Sequence, residues 1–310
     1  MRSVTLTKSQ LIDAAPATMI SSIYTPVEPQ SSGSYSMESR LRGKVLIFNQ
    51  REFSNGYSTR IGTDKDVERL LKVLPRLGYA REHIEVFENL KASGIEKVAL
   101  KMQKDAQLHL CDSLLVFFLT HGEKNDKLVA KDETFHLYEF MEKFKPAVMP
   151  AMAGKPKLFF VQACRGHKMK RGKQLQNWVS ETASYVADGV ASVFLSAPYA
   201  AAVYAAESFS EEESPPGSIP EFSDFLIAMS AQHGHLSFRN EQGSWFIQEL
   251  CNAIESINPN DDSILDILTA TNCAVSKRTR NVDGRPDNRK QISNFYSTLT
   301  KKLYFKPFLN

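Results

Sequence analysis

Two residues capable of nucleophilic chemistry, Cys164 and His121, each follow directly on a short apolar run. His121 comes after SLLVFFLT (113–120), and Cys164 comes after KLFFVQA (157–163). Both runs are typical of buried β-strands, and in an open parallel sheet the reacting groups collect beyond the carboxyl ends of the strands. If the two strands are neighbours, the thiol and the imidazole meet at one edge of the sheet.

A thiol beside an imidazole is suited to covalent catalysis. A free cysteine, with a pKa of about 8.5, is a weak nucleophile at neutral pH until a base takes its proton, and an imidazole with a pKa near 6.5 is such a base. The same imidazole can later protonate a leaving amine. The backbone N–H groups of Gly122 and Cys164 are candidate donors to the charge that develops on an attacked carbonyl oxygen.

Taken singly, each of the two residues also fits a structural role. A cysteine after an apolar strand is more often an inert core thiol, because free cysteine is among the most buried residue types. A histidine at the end of a strand is more often a hydrogen-bonded structural residue. Position at the ends of strands alone therefore leaves the catalytic and the structural interpretations open.

The elements that would position the two residues alternate between strand and helix patterns. Continuously apolar strands in such an alternation predict an α/β fold, a mostly parallel central sheet flanked by helices on both faces. Strands are predicted at 44–50, 84–88, 113–120, 157–163, 224–230 and 294–305. Helices are predicted from Thr63 or Asp64 through Leu74, from Ile95 to Ala106, and over 136–144, 244–257 and 263–275.

Two segments lack this periodicity. Residues 1–40 are rich in Ser, Pro and Thr and are predicted to form a flexible leader. From Gly166 to Ser218 the chain again shows no firm period, and regular structure is expected to resume at Ile219. So long an irregular stretch inside an α/β domain is typical of a functional loop or of a segment that is cut.

Composition excludes several classes of protein. The 38 basic and 35 acidic residues nearly balance, and no basic block stands out as a nucleic-acid arm, so no nucleic-acid partner is expected. The longest apolar run, residues 114–119, is too short to cross a bilayer, and the N-terminus lacks the apolar core of a signal peptide. We therefore expect a cytoplasmic protein with no membrane partner.

Metal and cofactor chemistry is also not indicated. The four cysteines form no CxxC pair, and the seven histidines are not spaced as metal ligands; His233 and His235 lie two apart in a predicted loop. No glycine-rich nucleotide loop follows any strand. We predict no cofactor and no metal site, and we expect reduced thiols.

The local sequence around Cys164 changes the balance between the catalytic and structural interpretations. Gln162 to Gly166 spell QACRG, a known caspase nucleophile signature, and His121 begins HGE. The chain resembles the caspases over about residues 41 to 306. The matching stretches are LIFNQREF, TRIGTDKDVERL, FFLTHGE, VQACRG, IPEFSDFLIAMS, SFRN, GSWFIQELC and LTKKLYF. The resemblance implies a cysteine endopeptidase that cuts after aspartate, with Cys164 as nucleophile and His121 as acid–base partner.

The resemblance also implies a pocket for the aspartate side chain. In the family it is lined by an arginine before a Gly-Thr-Asp stretch, by the glutamine before the nucleophile and by the arginine of an SWRN-like motif. These are Arg60, Gln162 and Arg239 here. Two planar guanidinium groups can clamp one carboxylate through several charge-assisted hydrogen bonds.

Further substrate contacts are implied for the same motif. Ser237 and Phe238 would border the substrate backbone and the next pocket, and Asn240 and Trp245 would flank more distant ones. The family usually has Trp where this chain has Phe238, so the second pocket is expected to differ in shape. The basic loop 276–290 lies where preference four residues upstream of the cut is set, and it favours an acidic residue there.

Caspases are made as one chain that is cut into two subunits. Asp188, in the sequence YVADG, is the single aspartate between Arg165 and Ile219 and is the predicted processing site. The expected domains are a prodomain over 1–40, a large subunit over 41–188 whose linker begins near residue 167, and a small subunit over 189–310, ordered from about 219. Two large/small pairs would dimerise into a heterotetramer.

The short leader indicates the executioner type of caspase, a zymogen switched on by an upstream protease and acting in apoptosis. Expected partners are protein substrates with Asp at the cleaved bond, a second copy of the chain, the activating protease and inhibitor-of-apoptosis proteins. The alternative is a catalytically silent decoy or scaffold that pairs with active caspases. We prefer an active enzyme because every matched catalytic and pocket residue is present.

Overall fold

The computed structural model describes most of the chain outside the leader and the segment before Ile219. Segment 166–219, with the predicted processing site Asp188, lies outside the described residues, as does residue 40 and the chain before residue 33. The described ranges are 33–39, 41–165, 220–282, 285–287 and 289–305.

A six-stranded sheet forms the centre of the molecule. Its strands run in the order β12–β7–β6–β3–β1–β2, and every neighbouring pair is parallel except β12 with β7. The prediction of a mostly parallel sheet is confirmed. The strands are β1 (Leu41–Asn49), β2 (Ile84–Glu88), β3 (Cys111–Leu119), β6 (Lys157–Gln162), β7 (Phe225–Met229) and β12 (Asn294–Ser297).

Helices cover both faces of this sheet, as predicted. All nine residues of β3 and all six of β6 are buried, because each face of the sheet packs against a separate apolar cluster. One cluster includes residues of helices α1, α4 and α5, and the other includes residues of α2 and α3. The helices are α1 (Thr63–Val73), α2 (Ala92–Gln103), α3 (Leu137–Glu142), α4 (Trp245–Ser256) and α5 (Ile264–Lys277).

Short antiparallel hairpins lie in the connections between these elements. The strand pairs are β4 (Lys127–Val129) with β5 (Thr134–His136), β8 (Arg239–Asn240) with β9 (Gly243–Ser244), and β10 (Arg280–Val282) with β11 (Arg285–Asp287). The last of these pairs lies within the basic loop predicted over 276–290.

Some element ends differ from the sequence prediction. Helix α2 ends at Gln103 instead of continuing to Ala106, because the carboxylate of Asp105 accepts from the backbone N–H of Gln107 and caps a separate 3₁₀ turn. The closing strand is ordered as a sheet strand only to Ser297. Beyond it, the side chain of Thr298 accepts from the Phe225 N–H, and the chain continues with isolated bridges.

The end of the predicted leader packs against the domain. Tyr35 is 5% exposed, and its hydroxyl donates to the Asp224 carboxylate at 2.5 Å. The backbone N–H of Tyr35 also donates to the Lys302 carbonyl at 2.9 Å. Packed chain thus begins several residues before the boundary expected at residue 41, because Tyr35 links the leader to the start of β7 and to the C-terminal segment.

Candidate active site

Strands β3 and β6 place His121 and Cys164 at one edge of the sheet. The two strands are parallel neighbours, with Leu119 paired to Gln162. The predicted neighbour relation between the two strands is therefore confirmed. Both residues line a cavity of about 670 Å³. The other residues that line it are Thr120, Gln162, Ala163, Ser237, Phe238, Arg239, Asn240, Trp245 and Thr279.

The Cys164 thiol is half-buried at the wall of this cavity. The Ser237 backbone N–H donates to its sulfur at 3.4 Å, and the thiol lies 3.7 Å from the Ser237 carbonyl oxygen. The sulfur is thus held against the segment that carries the implied substrate-binding residues.

The imidazole of His121 is oriented by a backbone carbonyl. Its Nε2 lies 2.8 Å from the Ser58 oxygen. Because a carbonyl can only accept, Nε2 carries the proton in this hydrogen bond, and Nδ1 is the basic nitrogen of the neutral ring. Sequence analysis missed Ser58, since a main-chain carbonyl leaves no signature in the residue type.

The electrostatic surroundings favour the neutral form of this imidazole. Burial lowers the pKa of His121 below its ordinary 6.5, and the positive charges of Arg60 and Arg239 lower it further, while the Ser58 hydrogen bond acts in the opposite direction. The ring is therefore neutral at pH 7 and able to accept a proton. This is the state that a general base requires.

Gly122 lies where only a glycine fits. A Cβ added at this position would lie 2.2 Å from the Cys164 carbonyl oxygen and 3.0 Å from the Ala163 Cβ. The close approach of the two chain segments expected from the sequence is present. The assignment of the Gly122 and Cys164 N–H groups as oxyanion donors stays a prediction.

Arg60 is fully buried and does not itself line the cavity, but it interacts electrostatically with Arg239 and Cys164, which do. Its Nη1 donates to the Thr63 hydroxyl at 2.7 Å and to the Gln50 carbonyl at 3.3 Å. Its Nε and Nη2 are buried and find no hydrogen-bond partner in the described part of the chain. A buried guanidinium with two unpaired donors is costly unless a ligand supplies an acceptor.

Arg239 stands on β8 and supplies a second positive charge. Its Nε donates to the Ile61 carbonyl at 2.8 Å, so the residue after Arg60 holds it in place. Burial, followed by the charge of Arg239, lowers the pKa of Arg60 to about 9, and burial also lowers the pKa of Arg239. Both remain cationic at pH 7, and the pair is suited to an anionic group.

Gln162, the third implied pocket residue, is 2% exposed and ends β6 directly before the nucleophile segment. Its Nε2 donates to the Ser237 hydroxyl at 2.7 Å. This bond ties the strand that leads to Cys164 to the segment that leads to Arg239. Of the three pocket residues implied by the resemblance, Gln162 and Arg239 line the cavity, whereas Arg60 lies behind its wall, close enough to Arg239 and Cys164 to interact with them electrostatically.

Asp66 is a buried residue of the site that sequence analysis missed. Its carboxylate accepts from the Ser244 backbone N–H at 2.7 Å and also from the Ser244 hydroxyl. Gly243 is required beside it, since a Cβ there would lie 2.5 Å from Asp66 Oδ1. The available signal was an acidic residue on the apolar face of α1, one position before the buried Val67.

The more distant implied residues line the outer part of the cavity. Phe238 and Trp245 are in contact, with ring centroids 5.0 Å apart. The guanidinium of Arg278 lies 5.9 Å from the Trp245 ring and donates to Glu249 at 2.5 Å. Asn240 is exposed, and its side chain accepts from the Gln242 N–H at 3.0 Å.

Among the described residues, no group of three or more His, Cys, Asp or Glu side chains is arranged to hold a metal ion. In that same part of the chain, no helix is both long and apolar enough to span a bilayer.

Comparison with known proteins identifies the family. The caspase domain model matches residues 42–304. The chain is 34% identical to caspase-1 of Drosophila melanogaster, over 90% of this chain and 78% of that protein. It is 30% identical to caspase-8 of Rattus norvegicus over 89% of its length, but spans only 54% of that protein. The crystal structure of caspase-1 from Spodoptera frugiperda aligns with a TM-score of 0.71 at 31% identity, over 92% of this chain and 97% of that one.

The chain belongs to the caspase family, and the family assignment made from its motifs is confirmed. Its α/β fold is confirmed by the same structural similarity. Membership makes a cysteine protease of apoptosis or inflammation the broad functional class.

Proposed function

We propose that this protein is an active cysteine endopeptidase that hydrolyses peptide bonds after aspartate. The observation that carries the proposal is that Arg60, which interacts electrostatically with Arg239 and Cys164, has two buried nitrogens without a hydrogen-bond partner among the described residues. An aspartate carboxylate would satisfy those donors and neutralise the adjoining charge of Arg239.

The reaction would proceed through a thioester. His121 Nδ1 takes the thiol proton as Cys164 Sγ attacks the carbonyl carbon of the scissile bond, and the N–H groups of Gly122 and Cys164 donate to the resulting oxyanion. The imidazolium then protonates the departing amine. Water, deprotonated by His121, attacks the thioester carbon, and the thiol leaves with its proton restored.

Specificity would follow from the cost of leaving the pocket unpaired. With alanine in place of aspartate, two guanidinium groups would remain desolvated without an acceptor. A pocket built to hydrogen-bond a group rejects an analogue that lacks it by factors on the order of 10⁴. Gln162 would fix the geometry of this pocket, and Ser237, Phe238, Asn240 and Trp245 would contact residues upstream of the aspartate.

The test is a panel of tetrapeptide–fluorophore substrates that differ only in the last residue: Asp, Glu, Asn or Ala. We expect turnover of the Asp member alone. The Cys164→Ala variant should be inactive, and Cys273→Ala, which removes an exposed thiol of α5, should retain wild-type turnover. Equal turnover of the Asp and Asn members would contradict the proposed pocket.

A silent decoy or scaffold is the second candidate. Protein cut at Asp188 but inactive on every member of the panel would support this candidate, and pairing with an active caspase would then be the activity to measure.

We further propose activation by cleavage after Asp188, leaving a large subunit over 41–188 and a small subunit over 189–310. An upstream activating protease would make this cut. The product would be a cytoplasmic, executioner-type enzyme that acts in apoptosis. Inhibitor-of-apoptosis proteins would regulate it. An Asp188→Ala chain should stay as one band under activating conditions, whereas wild type should yield two.

A further inference from the structure

An aromatic cluster surrounds the His121 imidazole on the side of the Ser58 carbonyl. The ring centroids of Phe53 and Tyr57 lie 4.9 and 5.5 Å from that of His121, and 6.0 Å from each other. The Tyr57 ring is stacked on the imidazole, with an angle of 28° between the planes. One short segment, residues 53–58, therefore supplies both the rings that contact the imidazole and the carbonyl that accepts from it.

The Tyr57 ring is itself anchored to the segment that follows His121. The Tyr57 hydroxyl donates to the carboxylate of Glu123, which lies two residues after His121 in the chain. The Glu123 backbone is in turn fixed, because its N–H donates to the Lys127 carbonyl at 2.8 Å. The hydrogen bond to Glu123, followed by burial, raises the pKa of Tyr57 to about 12, so the phenol stays protonated and the bond persists at physiological pH.

We propose that Tyr57 is a positioning residue for His121, through the stacked ring that Glu123 anchors. A single hydrogen bond to Ser58 leaves the imidazole free to rotate about its side-chain torsions, and a stacked neighbour restricts that rotation. The restriction keeps Nε2 on the Ser58 carbonyl and Nδ1 available for the thiol proton. The inference rests on the proposed function, because the orientation matters only if His121 exchanges a proton with Cys164.

Steady-state kinetics with the Asp tetrapeptide separate positioning from substrate binding. We expect Tyr57→Leu to lower kcat roughly tenfold with KM within about twofold, because an aromatic contact contributes a factor of this order. Tyr57→Phe keeps the ring but loses the anchor, and should lower kcat about threefold. Glu123→Gln should have an effect of the same order as Tyr57→Phe. The matched control is Tyr304→Phe, a half-buried tyrosine of the C-terminal segment that lines neither this cavity nor the groove beside β12.

The pH dependence of Cys164 alkylation by iodoacetamide gives a readout that needs no peptide cleavage. The wild-type profile should show an inflection from His121 below pH 6.5. In Tyr57→Leu this inflection should move up towards 6.5, because water then reaches an imidazole whose pKa is lowered chiefly by burial. A structural role remote from His121 would leave the inflection in place.

The proposal would be overturned if Tyr57→Leu kept both the kinetic constants and the alkylation profile of the wild type. If Tyr57→Leu does not fold, Tyr57→Phe decides: an unchanged kcat contradicts the anchor, and a threefold fall at constant KM supports it. Failure of the proposed function can be told apart from failure of this inference, because the alkylation comparison needs no peptide cleavage. If the wild-type protein cleaves no peptide, a shifted inflection in Tyr57→Leu still supports the contact with His121, and an unshifted one contradicts it.

Discussion

At the scale of the residue, Arg60 carries a buried charge that the described part of the protein does not fully compensate. The side chain is fully buried, two of its nitrogens lack partners among the described residues, and the adjacent Arg239 adds a like charge. Such an arrangement is unfavourable in the empty pocket and becomes favourable when a carboxylate enters. On the proposed function, specificity for aspartate would be a consequence of the hydrogen-bond donors that the folded chain leaves unsatisfied.

Lysine should not replace Arg60. Its ammonium group keeps the charge but cannot present the planar, two-donor face that a carboxylate accepts, and its shorter reach leaves the Thr63 hydroxyl without its donor. We expect Arg60→Lys to lower kcat/KM for the Asp tetrapeptide on the order of 10²-fold. The matched control is Arg81→Lys, an exposed arginine in the 3₁₀ turn before β2 that does not line the cavity; an equal loss in both variants would contradict the pocket.

On the proposed mechanism, the protonation of His121 would set the acid limb of the pH profile. Its folded pKa lies below 6.5, so the neutral, basic form persists as the pH falls through 6.5 and is lost only at lower values. We expect the acid limb of kcat/KM to have its midpoint below pH 6.5. A midpoint above 6.5 would mean that the imidazole is exposed or paired with an anion in the active enzyme.

At the scale of the element, α1 and the β8–β9 hairpin are joined by a buried carboxylate. Asp66 on α1 accepts twice from Ser244, and Gly62, with φ of 84°, lets the chain before α1 approach the Asn240 carbonyl of β8. Arg60 and Arg239 lie on either side of this junction. The proposed aspartate pocket would therefore depend on how two elements distant in sequence are packed together.

Removal of the Asp66 carboxylate should destabilise the domain. Asp66→Ala leaves a buried N–H and a buried hydroxyl of Ser244 without acceptors, at a cost of about 2–4 kcal/mol. We expect a fall in Tm of several degrees, measured by differential scanning calorimetry, and a smaller one in Asp66→Asn, which can still accept from the Ser244 N–H. Glu68→Gln, on the exposed face of the same helix, is the control. An equally large fall in Tm in this variant would contradict a specific stabilising role of the Asp66 carboxylate.

The helices and strands could be predicted from sequence patterns, but the side-chain and backbone contacts between them could not. Strands β3 and β6 were predictable because their residues are apolar throughout, and their shared edge followed from the parallel arrangement. The Ser58 carbonyl and the anchored Tyr57 ring were not, since the loop 53–58 reaches His121 only after β1 and β3 pair in the sheet. Helix ends also differed where a local cap, such as Asp105, outweighed periodicity.

At the scale of the whole molecule, the sheet ends in a strand with one free side. Strand β12 pairs with β7 alone among the described strands, and exposed apolar side chains lie near it: Tyr138 is 44% exposed and Tyr296 54%. These two tyrosines, with Phe222 and Ile227, line a groove of about 220 Å³. An edge of this kind is suited to pairing with a second copy of the chain.

We expect the purified protein to sediment as a dimer of the full chain or of its cut subunit pairs. Tyr296→Lys places a charge on the edge strand and should shift the protein to the monomer in analytical ultracentrifugation. Leu100→Lys, at an apolar position of α2 that is 43% exposed, should leave the dimer intact. A wild type that is monomeric at all concentrations would contradict dimerisation through β12.

The most direct test of the central claim, a Cys164 nucleophile served by an aspartate pocket, is covalent labelling. A peptidyl acyloxymethyl ketone ending in Asp and its Asn counterpart would each be incubated with the cut protein, and the modified residue would be located by peptide mass spectrometry. We expect one adduct, on Cys164, from the Asp reagent alone, formed on the order of 10²-fold more slowly in Arg60→Lys. Equal labelling by both reagents, or an adduct on another cysteine, would contradict it.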